Sequence, residues 1–315
     1  MSVQGHCTLI HKKAERNAEH LNCHEGFPTE RVICDAGSQG SVNLIITSAE
    51  DRASMNIRAR LLESPGWTET GSFEDHPVME KGDFSMIQID RIHLEEDRLD
   101  ERAQKTLGKD FDVMIYASRH KAASEIPTLT VHPVGNYSAA EFGGLPGTLC
   151  RAHGGFMTSA LRALAREAQD MEFKISFETT HHGPFLEKVP AFFIEIGSSE
   201  SFWEREDAAQ AIAKSIMQVK DDGFPILLCV GGGHYAPRFT DIALSRKVAV
   251  GHMAANYALE SLTEDMIRQM SERSGGAKMV YFHRKSMPKP KYRELAERFA
   301  ALGIAEIRSD DLEPL

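Results

Sequence analysis

The chain has 315 residues, 42% of them hydrophobic, which is enough to bury a large core in one domain or two. Its formal net charge of −10 argues against a nonspecific nucleic-acid binder with a broadly basic surface, and we expect no DNA partner. The sequence shows no signal-peptide h-region and no run approaching the roughly 20 apolar residues of a membrane span. Five cysteines without a CxxC pair favour a reduced, cytoplasmic protein.

The first 41 residues are polar and end in the Gly/Ser-rich run 35–41. We interpret them as an N-terminal extension, flexible or loosely docked, with a linker into the fold. Three cysteines and four histidines fall in this stretch, so zinc binding there is conceivable, although their spacing fits no zinc-finger pattern.

Apolar and periodic segments then alternate along the chain from Val42 onward. A first strand over 42–47 precedes a helix that extends to about Leu62, with capping residues at 48–51. The later predictions are strands at 85–89, 111–117 and 128–131, a helix at 154–169, strands at 172–179 and 191–196, a helix at 204–219, strands at 225–230 and around Val248, and helices at 263–273 and 289–301 flanking a last pair of short strands. This order predicts one α/β sandwich domain over 42–315. In open α/β sheets ligands bind at the carboxyl ends of strands, so we expect a site at one sheet edge.

Two segments rich in glycine and histidine follow predicted strands. They are Glu178-Thr-Thr-His-His-Gly-Pro184 and Gly231-Gly-Gly-His-Tyr-Ala-Pro-Arg238. Adjacent histidines after a strand point to opposite sides, so we expect at most one of His181 and His182 to face a given pocket. A zinc site built on them needs further ligands such as His234, His132 or Glu195. The amides of Gly231, Gly232 and Gly233 are suited to an oxyanion or a closely approaching ribose, but the loop lacks the P-loop and dinucleotide patterns.

Three further places gather polar groups. Arg119 and His120 follow a strand and suit a carboxylate or phosphate, or else form a solvated turn. His132, a ligand or base in one interpretation and a loop histidine in the other, precedes a turn at Asn136. Glu195 lies inside an apolar strand and, if buried, must be paired or protonated.

Several of these segments together resemble the D-aminoacyl-tRNA deacylase family of archaea and plants. The resemblance covers about residues 42–310 and is carried, in order, by Ala53-Ser-Met-Asn-Ile57, Ser118-Arg-His120, Leu129-Thr-Val-His-Pro-Val-Gly-Asn136, Thr180-His-His-Gly-Pro184, Phe193-Ile-Glu-Ile-Gly-Ser-Ser199 with Trp203, and Gly231-Gly-Gly-His-Tyr-Ala-Pro-Arg238.

The resemblance implies a three-layer α/β/α fold of the phosphorylase/hydrolase type with a mixed sheet. It implies hydrolysis of the ester between a D-amino acid and the 3′ end of tRNA, two zinc ions and a monomer. On this basis the candidate catalytic residues are His181, His182, His234 and Glu195, and the first three are also the candidate metal ligands. The candidate substrate-binding residues are Arg119, His120, His132, Asn136, Gly231, Gly232, Gly233 and Arg238.

The residues themselves support this chemistry in part. No G-x-S-x-G elbow is present, and Cys229 lies within a strand, so we expect direct attack by water without an acyl-enzyme. Zinc, a histidine or the terminal 2′-hydroxyl of the tRNA remain alternatives for activating that water. Arg119, Lys121, Arg238 and a basic segment near the C-terminus, over 278–293, are candidates for phosphate contacts. The rival interpretations are another zinc hydrolase or a nucleoside phosphorylase of the same fold, or a tRNA-binding module without catalysis.

Overall fold

Fourteen strands and eight α-helices make up the part of the protein that the computed structural model describes, residues 42–315. The strands are β1 (Asn43–Ser48), β2 (Thr68–Phe73), β3 (His76–Lys81), β4 (Phe84–Ile89), β5 (Val113–Arg119), β6 (Thr128–Pro133), β7 (Gly135–Asn136), β8 (Thr148–Leu149), β9 (Lys174–Phe177), β10 (Ala191–Gly197), β11 (Ile226–Val230), β12 (Ala249–Ala254), β13 (Met279–Phe282) and β14 (Ala305–Glu306). The helices are α1 (Arg52–Glu63), α2 (Leu99–Leu107), α3 (Gly154–Glu167), α4 (Glu200–Trp203), α5 (Glu206–Ile216), α6 (Pro237–Ser245), α7 (Glu264–Arg273) and α8 (Lys289–Ala301). The predicted N-terminal extension lies outside the described residues and stays a prediction.

The strands form two main sheets. The large sheet has eight strands in the order β2-β3-β4-β1-β5-β10-β6-β9, and the small sheet has four in the order β12-β11-β13-β14. β1, β4, β5 and β10 pair in parallel, whereas β6 runs antiparallel to β10 and parallel to β9. The predicted α/β sandwich with a mixed sheet is confirmed. The division of the strands into two sheets was not predicted.

Period-two alternation decides which side chains of the large sheet meet which layer. On β1, Ile45 joins a core cluster with residues of α1, α3 and α5, whereas Leu44 and Ile46 join another with residues of α2. The helices α1, α3 and α5 therefore pack on one face of this sheet, and α2 packs on part of the other. A separate apolar cluster joins the small sheet to α7 and α8.

The sequence-based boundaries hold to within a few residues for the buried elements. α1 begins after Asp51, whose carboxylate accepts a hydrogen bond from the Ser54 amide as an N-cap. The hairpin β2–β3 and the helix α2 were missed, because β2 exposes all but its last residue and α2 buries only Leu99, Asp100 and Ala103. Polar edge elements of this kind carry little apolar periodicity.

Among residues 42–315 no helix combines the length and apolar character needed to cross a bilayer.

Candidate active site

Seven polar side chains meet over the face of the large sheet that lies opposite α1, α3 and α5. We call them the histidine–carboxylate cluster: His120, His132, Glu178, His181, His182, Glu195 and His234.

Four neighbouring strands supply four members of the cluster. His120 directly follows β5, Glu195 lies in β10, His132 lies in β6 and Glu178 directly follows β9. The strand register puts all four on one face, since residues paired across strands share a face and alternate residues such as Ile194 join the helix-covered core. The alternation of buried polar and apolar residues in these strands is therefore what assembles the site.

The cluster lies on the face of the sheet rather than at one edge. β5 and β10 run one way and β6 and β9 the other, so the carboxyl ends of β5 and β9 lie at opposite edges. The prediction of a site at a single edge was wrong, because it assumed that the strands of the site are parallel, whereas the neighbouring strands β10 and β6 are antiparallel.

His234 reaches the cluster from the small sheet. It follows β11, and the Thr179 N–H donates to the His234 carbonyl at 2.9 Å while Glu178 and Tyr235 form an antiparallel bridge. The segment directly after β9 thus ties the two sheets together at the site. Backbone conformation at Gly231 and Gly232, with φ of 108° and 86°, allows the sharp turn after β11.

Both His181 and His182 line the same cavity. Their ring centroids are 4.3 Å apart, in an edge-to-face arrangement. The expectation that at most one would face a given pocket was wrong, because β9 ends at Phe177 and His182 has a left-handed backbone with φ of 47°. Strand alternation does not apply there.

Three imidazoles are oriented by backbone carbonyls. Nδ1 of His132, His181 and His182 lies 3.1, 2.8 and 2.7 Å from the carbonyl oxygens of Pro133, Thr179 and Gly183 respectively. A carbonyl only accepts, so each Nδ1 carries the donated proton and Nε2 is directed to other partners. Metal-ligating histidines commonly have this outer hydrogen bond.

Both carboxylates are fully enclosed by these rings. Glu178 Oε2 lies 3.0 Å from His234 Nε2 and 3.4 Å from His181 Nε2, and its Oε1 lies 3.3 Å from His120 Nδ1. Glu195 Oε2 lies 3.6 Å from His120 Nδ1 and 3.5 Å from His132 Nε2. Three of these carboxylate oxygens accept no hydrogen bond of acceptable geometry within residues 42–315: both oxygens of Glu178, and Oε2 of Glu195. Buried polar atoms without partners indicate a missing ligand or ion.

The two carboxylates raise the pKa of two facing imidazoles. Burial alone would lower the pKa of His120, but Glu195 and Glu178 outweigh it and raise this pKa to about 9. The same competition raises the pKa of His132, and the facing imidazoles hold the pKa of both carboxyls below the ordinary value although burial opposes this.

The remaining two rings after β9 behave in the opposite way. Burial and neighbouring imidazoles lower the pKa of His181 far below the usual range and that of His182 to about 4. These two histidines are neutral at pH 7, the state in which imidazole binds a metal or accepts a proton.

Two cavities adjoin the cluster. The first has a volume of about 420 Å³ and is lined by residues of three segments, 92–94, 118–122 and 181–182, with Phe142, Phe193, Glu195 and His234. The second has a volume of about 410 Å³ and is lined mainly by the segment 135–142 with Tyr257, Ala258 and residues 180–182 and 234. Perturbed buried titratable groups between open cavities characterise an enzyme active site.

The other predicted site residues lie in different places. Arg119 lines the first cavity, with its guanidinium 5.1 Å from the Trp203 ring centroid, and Asn136 borders the second, where its amide donates to the carbonyls of Gly143 and Leu145. Arg238 does not join the cluster. It lines a third cavity of about 490 Å³ with Tyr281, to whose hydroxyl its Nε donates at 2.9 Å.

The three glycines also line neither of the two cavities at the cluster. The Gly231 amide donates to the Ala254 carbonyl, and the Gly232 amide donates to Ser286 Oγ at 2.8 Å. These two amides hold the loop to the small sheet.

Two residues of the site were missed by sequence reasoning. Glu178, at the centre of the cluster, was visible as a carboxylate in step with the polar side of β9, two residues after Ser176. His93 lines the first cavity with neither ring nitrogen hydrogen-bonded within the described chain, and no motif around it signals this.

Comparison with known proteins identifies the family. The D-aminoacyl-tRNA deacylase family model matches residues 107–307. Proteins named D-aminoacyl-tRNA deacylase are similar to this chain: that of Methanosarcina mazei is 37% identical, over 85% of this chain and 92% of the relative, and that of Pyrococcus furiosus is 35% identical, over 85% and 100%. A relative from Methanococcoides burtonii is 37% identical over 86% of this chain, which spans only 57% of that relative's length.

A solved structure has the same fold. The crystal structure of AF0625, a conserved protein of unknown function, matches with a TM-score of 0.81 and 29% sequence identity, over 88% of this chain and 98% of that chain. The chain belongs to the D-aminoacyl-tRNA deacylase family. The predicted enzyme class, an ester hydrolase of D-aminoacyl-tRNA, is confirmed at the level of the family.

Proposed function

We propose that this protein hydrolyses the ester bond of D-aminoacyl-tRNA at the histidine–carboxylate cluster, releasing the D-amino acid and tRNA. The observation that carries this is the pair of buried carboxylates, Glu178 and Glu195, enclosed by imidazoles yet without hydrogen bonds on three of their oxygens. Two cavities of about 420 and 410 Å³ also adjoin the cluster and share His181, His182 and His234 in their linings, which gives room for the two halves of an ester.

We infer that the cluster holds zinc. The described residues contain three groups of donor atoms within 4.8 Å of one another: His132, His181 and His182; His120, Glu178 and His234; and His132, Glu178 and Glu195. Nitrogen and carboxylate donors of this kind suit zinc, and the overlap of the groups suits the two ions that the family resemblance implies.

The tautomers support a cation at this position. His181 donates its Nδ1 proton to the Thr179 carbonyl, so its Nε2 lone pair faces Glu178 Oε2 at 3.4 Å. Two lone pairs directed at each other repel unless a proton or a metal ion lies between them, and the lowered pKa of His181 disfavours the proton. Zinc held by these donors supplies a Lewis acid that lowers the pKa of a water to about 7.

The chain's own groups complete the reaction requirements. Ester hydrolysis needs a proton removed from water and a proton delivered to the leaving 3′-oxygen. His182 is neutral, with Nδ1 fixed on the Gly183 carbonyl, so its Nε2 is available as a ligand or as the proton acceptor. His120 Nε2 lies 3.1 Å from the Tyr235 hydroxyl while its Nδ1 faces Glu178, so the Nε2–Tyr235 pair is suited to deliver a proton.

The test compares substrates and metal content. Purified protein is incubated with D-Tyr-tRNA and L-Tyr-tRNA, before and after removal of metal by a chelator, with zinc measured by elemental analysis. We expect hydrolysis of the D-ester only, loss on stripping and recovery with zinc. Full activity in metal-free protein would leave a histidine or the 2′-hydroxyl as the activating group, and no hydrolysis of the D-ester would remove the proposed function.

Contacts with the tRNA are proposed to be local, because the net charge is −10. Arg119 and Lys121 line the first cavity, and Arg238, Arg284 and Lys285 line the third, where they are suited to backbone phosphates.

We also infer a monomer that acts in the cytoplasm, where charged tRNA is used. The large exposed apolar side chains of residues 42–315 are few, and two of them, Phe142 and Tyr257, border the cavities.

A further inference from the structure

The two cavities at the cluster share one wall. His181, His182, His234 and Phe142 line both. An aminoacyl-tRNA also has two halves, the amino acid and the terminal nucleoside, joined at the carbonyl carbon that water attacks. With the reacting bond at the shared imidazoles, each cavity has room for one half.

Charge distinguishes the two cavities. Arg119 and Lys121 line the first, whereas the second is lined by one ionisable carboxylate, Glu141, and by no lysine or arginine. The nucleoside half of the substrate carries the phosphate of the RNA chain, and the amino-acid half carries an α-ammonium group. Glu195 also lines the first cavity, but its carboxylate faces the imidazoles of His120 and His132. The two cations of the first cavity and Glu141 in the second therefore favour the nucleoside in the first and the amino acid in the second.

The first cavity contains an unsatisfied recognition group. His93 is 1% exposed and packs edge-on against Tyr116 and Phe193, with ring centroids 5.5 and 6.0 Å away. Neither ring nitrogen makes a hydrogen bond of good geometry within the described chain: the Ile46 backbone is the nearest acceptor that interacts with the ring, and the carboxylate oxygen Asp51 Oδ2 is 3.8 Å from Nδ1.

Asp51 is already occupied by other donors. Its carboxylate accepts from the Ser54 and Arg119 amides and from the Ser118 hydroxyl, at 3.0, 2.9 and 3.1 Å. A buried imidazole without a protein partner is costly unless a ligand supplies one. A site built to hydrogen-bond a substrate group discriminates strongly against an analogue that lacks this group.

We propose that the terminal adenosine of the tRNA occupies the first cavity, where a ring nitrogen of His93 hydrogen-bonds the base, and that the amino acid occupies the second cavity. This inference rests on the proposed function. His93 is then a specificity-determining residue for the nucleotide half of the substrate, and Tyr137 is its counterpart for the other half, since it lines the second cavity and its buried hydroxyl interacts only with Thr180 beside the imidazoles, without a hydrogen bond of good geometry within residues 42–315.

The test uses D-Tyr-tRNAs whose terminal base lacks one polar atom at a time: purine riboside and 1-, 3- and 7-deazaadenosine in place of adenosine. For the parent protein we expect one analogue to lose about tenfold in kcat/KM, the value of one buried hydrogen bond. His93→Phe keeps a packed ring without nitrogens, and it should treat that analogue and adenosine alike. His93→Leu is the second variant if the melting temperature shows that the larger ring is not accommodated.

The matched variant is Tyr137→Phe, assayed on D-Tyr-tRNA and D-Ala-tRNA. It should alter the ratio between these two substrates and keep the discrimination among terminal bases. The assignment of His93 to the terminal base is overturned if His93→Phe still discriminates among the terminal-base analogues. It is also overturned if the parent protein does not discriminate among them. A changed D-Tyr to D-Ala ratio in His93→Phe, with base discrimination intact, would place the amino acid in the first cavity. Failure of the parent to hydrolyse any D-aminoacyl-tRNA would instead remove the proposed function itself.

Discussion

Glu178 is the residue on which the site depends most. Its two oxygens lie within 3.4 Å of nitrogens from three histidines, which come from β5, from the segment after β9 and from the small sheet. Sequence reasoning found all three histidines because polar segments after strands are conspicuous, and it found Glu195 because a carboxylate stands out inside an apolar strand. It missed Glu178, since one acidic residue after a strand is as easily explained as a solvated turn.

We expect Glu178→Gln to reduce deacylation and metal content together. The substitution keeps the shape and removes the charge that the imidazoles and a divalent cation share, and loss of one ligand or its support costs about 10- to 100-fold in metal affinity or activity. The measurements are zinc content by elemental analysis and single-turnover hydrolysis of D-Tyr-tRNA. The charge-matched control is Glu69→Gln, an exposed position on the edge strand β2. A Glu178→Gln protein with the parent's zinc content and rate would show that this carboxylate is only structural.

The two buried cysteines of the described chain are expected to contribute to stability and not to catalysis. Cys229 lies in β11, fully buried in the apolar core, and burial raises the pKa of its thiol. Cys229→Ala should lower the free energy of unfolding by about 1 kcal/mol through lost packing and leave deacylation unchanged. Thermal melts and initial rates measure both.

Cys150→Ala provides the comparison. Cys150 Sγ accepts from the Leu186 amide at 3.3 Å, so its removal leaves a buried N–H without a partner and should destabilise more than Cys229→Ala. Loss of activity in Cys229→Ala at an unchanged melting temperature would contradict the structural role and make the thiol part of the reaction.

Among the elements, the turn after β11 shows why one position of its glycine run requires glycine. A Cβ on Gly231 would lie 2.7 Å from Ser286 Oγ and 2.8 Å from Met287 Cε, and φ is 108°. Gly233 has no positive φ, and its nearest neighbour, the Tyr235 carbonyl oxygen, is 3.8 Å from the same position. The glycines are therefore not equivalent, although the sequence presents them as one run.

Gly231→Ala should accordingly destabilise by about 1–3 kcal/mol, the usual cost of a strained backbone, and should displace His234 and reduce activity. Gly233→Ala, two residues further along the turn, should keep a free energy of unfolding within about 0.5 kcal/mol of the parent's, as a substitution at an unconstrained loop position does. Chemical denaturation of the two variants measures the difference. Equal stabilities would mean that the loop relaxes around Gly231 without strain.

Most elements with a buried apolar side could be predicted from the sequence, and polar ones could not. The helix α6 is an exception: it buries Phe239, Ile242 and Ala243, but it was missed because it directly follows the glycine-rich segment and was interpreted as part of that loop. The helix α3 and the strand β10 are buried over most of their length, so each appears in the sequence as a long, mainly apolar run. β2 is largely exposed and α2 buries only three of its residues, so both gain their structure from pairing and packing with other segments. The same reasoning explains the wrong expectation for His181 and His182, where backbone conformation after the strand, and not strand alternation, sets the side-chain directions.

At the scale of the whole molecule, the unpredicted feature is the meeting of two sheets. Bridges from Glu178 to Tyr235 and from the Thr180 amide to the Met253 carbonyl join the segment after β9 to the small sheet. No local pattern encodes pairing between segments more than 50 residues apart, although the resemblance to a family implies that it occurs. The cluster therefore combines donors from two sheets, and an ion bound there would link them.

This linkage predicts that zinc stabilises the fold. An ion that binds the native cluster and not the unfolded chain adds about 2.7 kcal/mol at a free concentration of 100 times its Kd, which corresponds to a rise in melting temperature of about 5–10 °C for a domain of this size. The measurement is a thermal melt of chelator-stripped protein titrated with zinc. Magnesium is the control, since it prefers oxygen ligands and should shift the melt far less than zinc does at a site rich in imidazole. In Glu178→Gln the zinc-dependent shift should shrink, because the carboxylate that contacts histidines from both sheets loses its charge. A melting temperature that does not respond to zinc in the parent, with the stripped protein shown to be metal-free, would contradict a metal ion bound between the sheets.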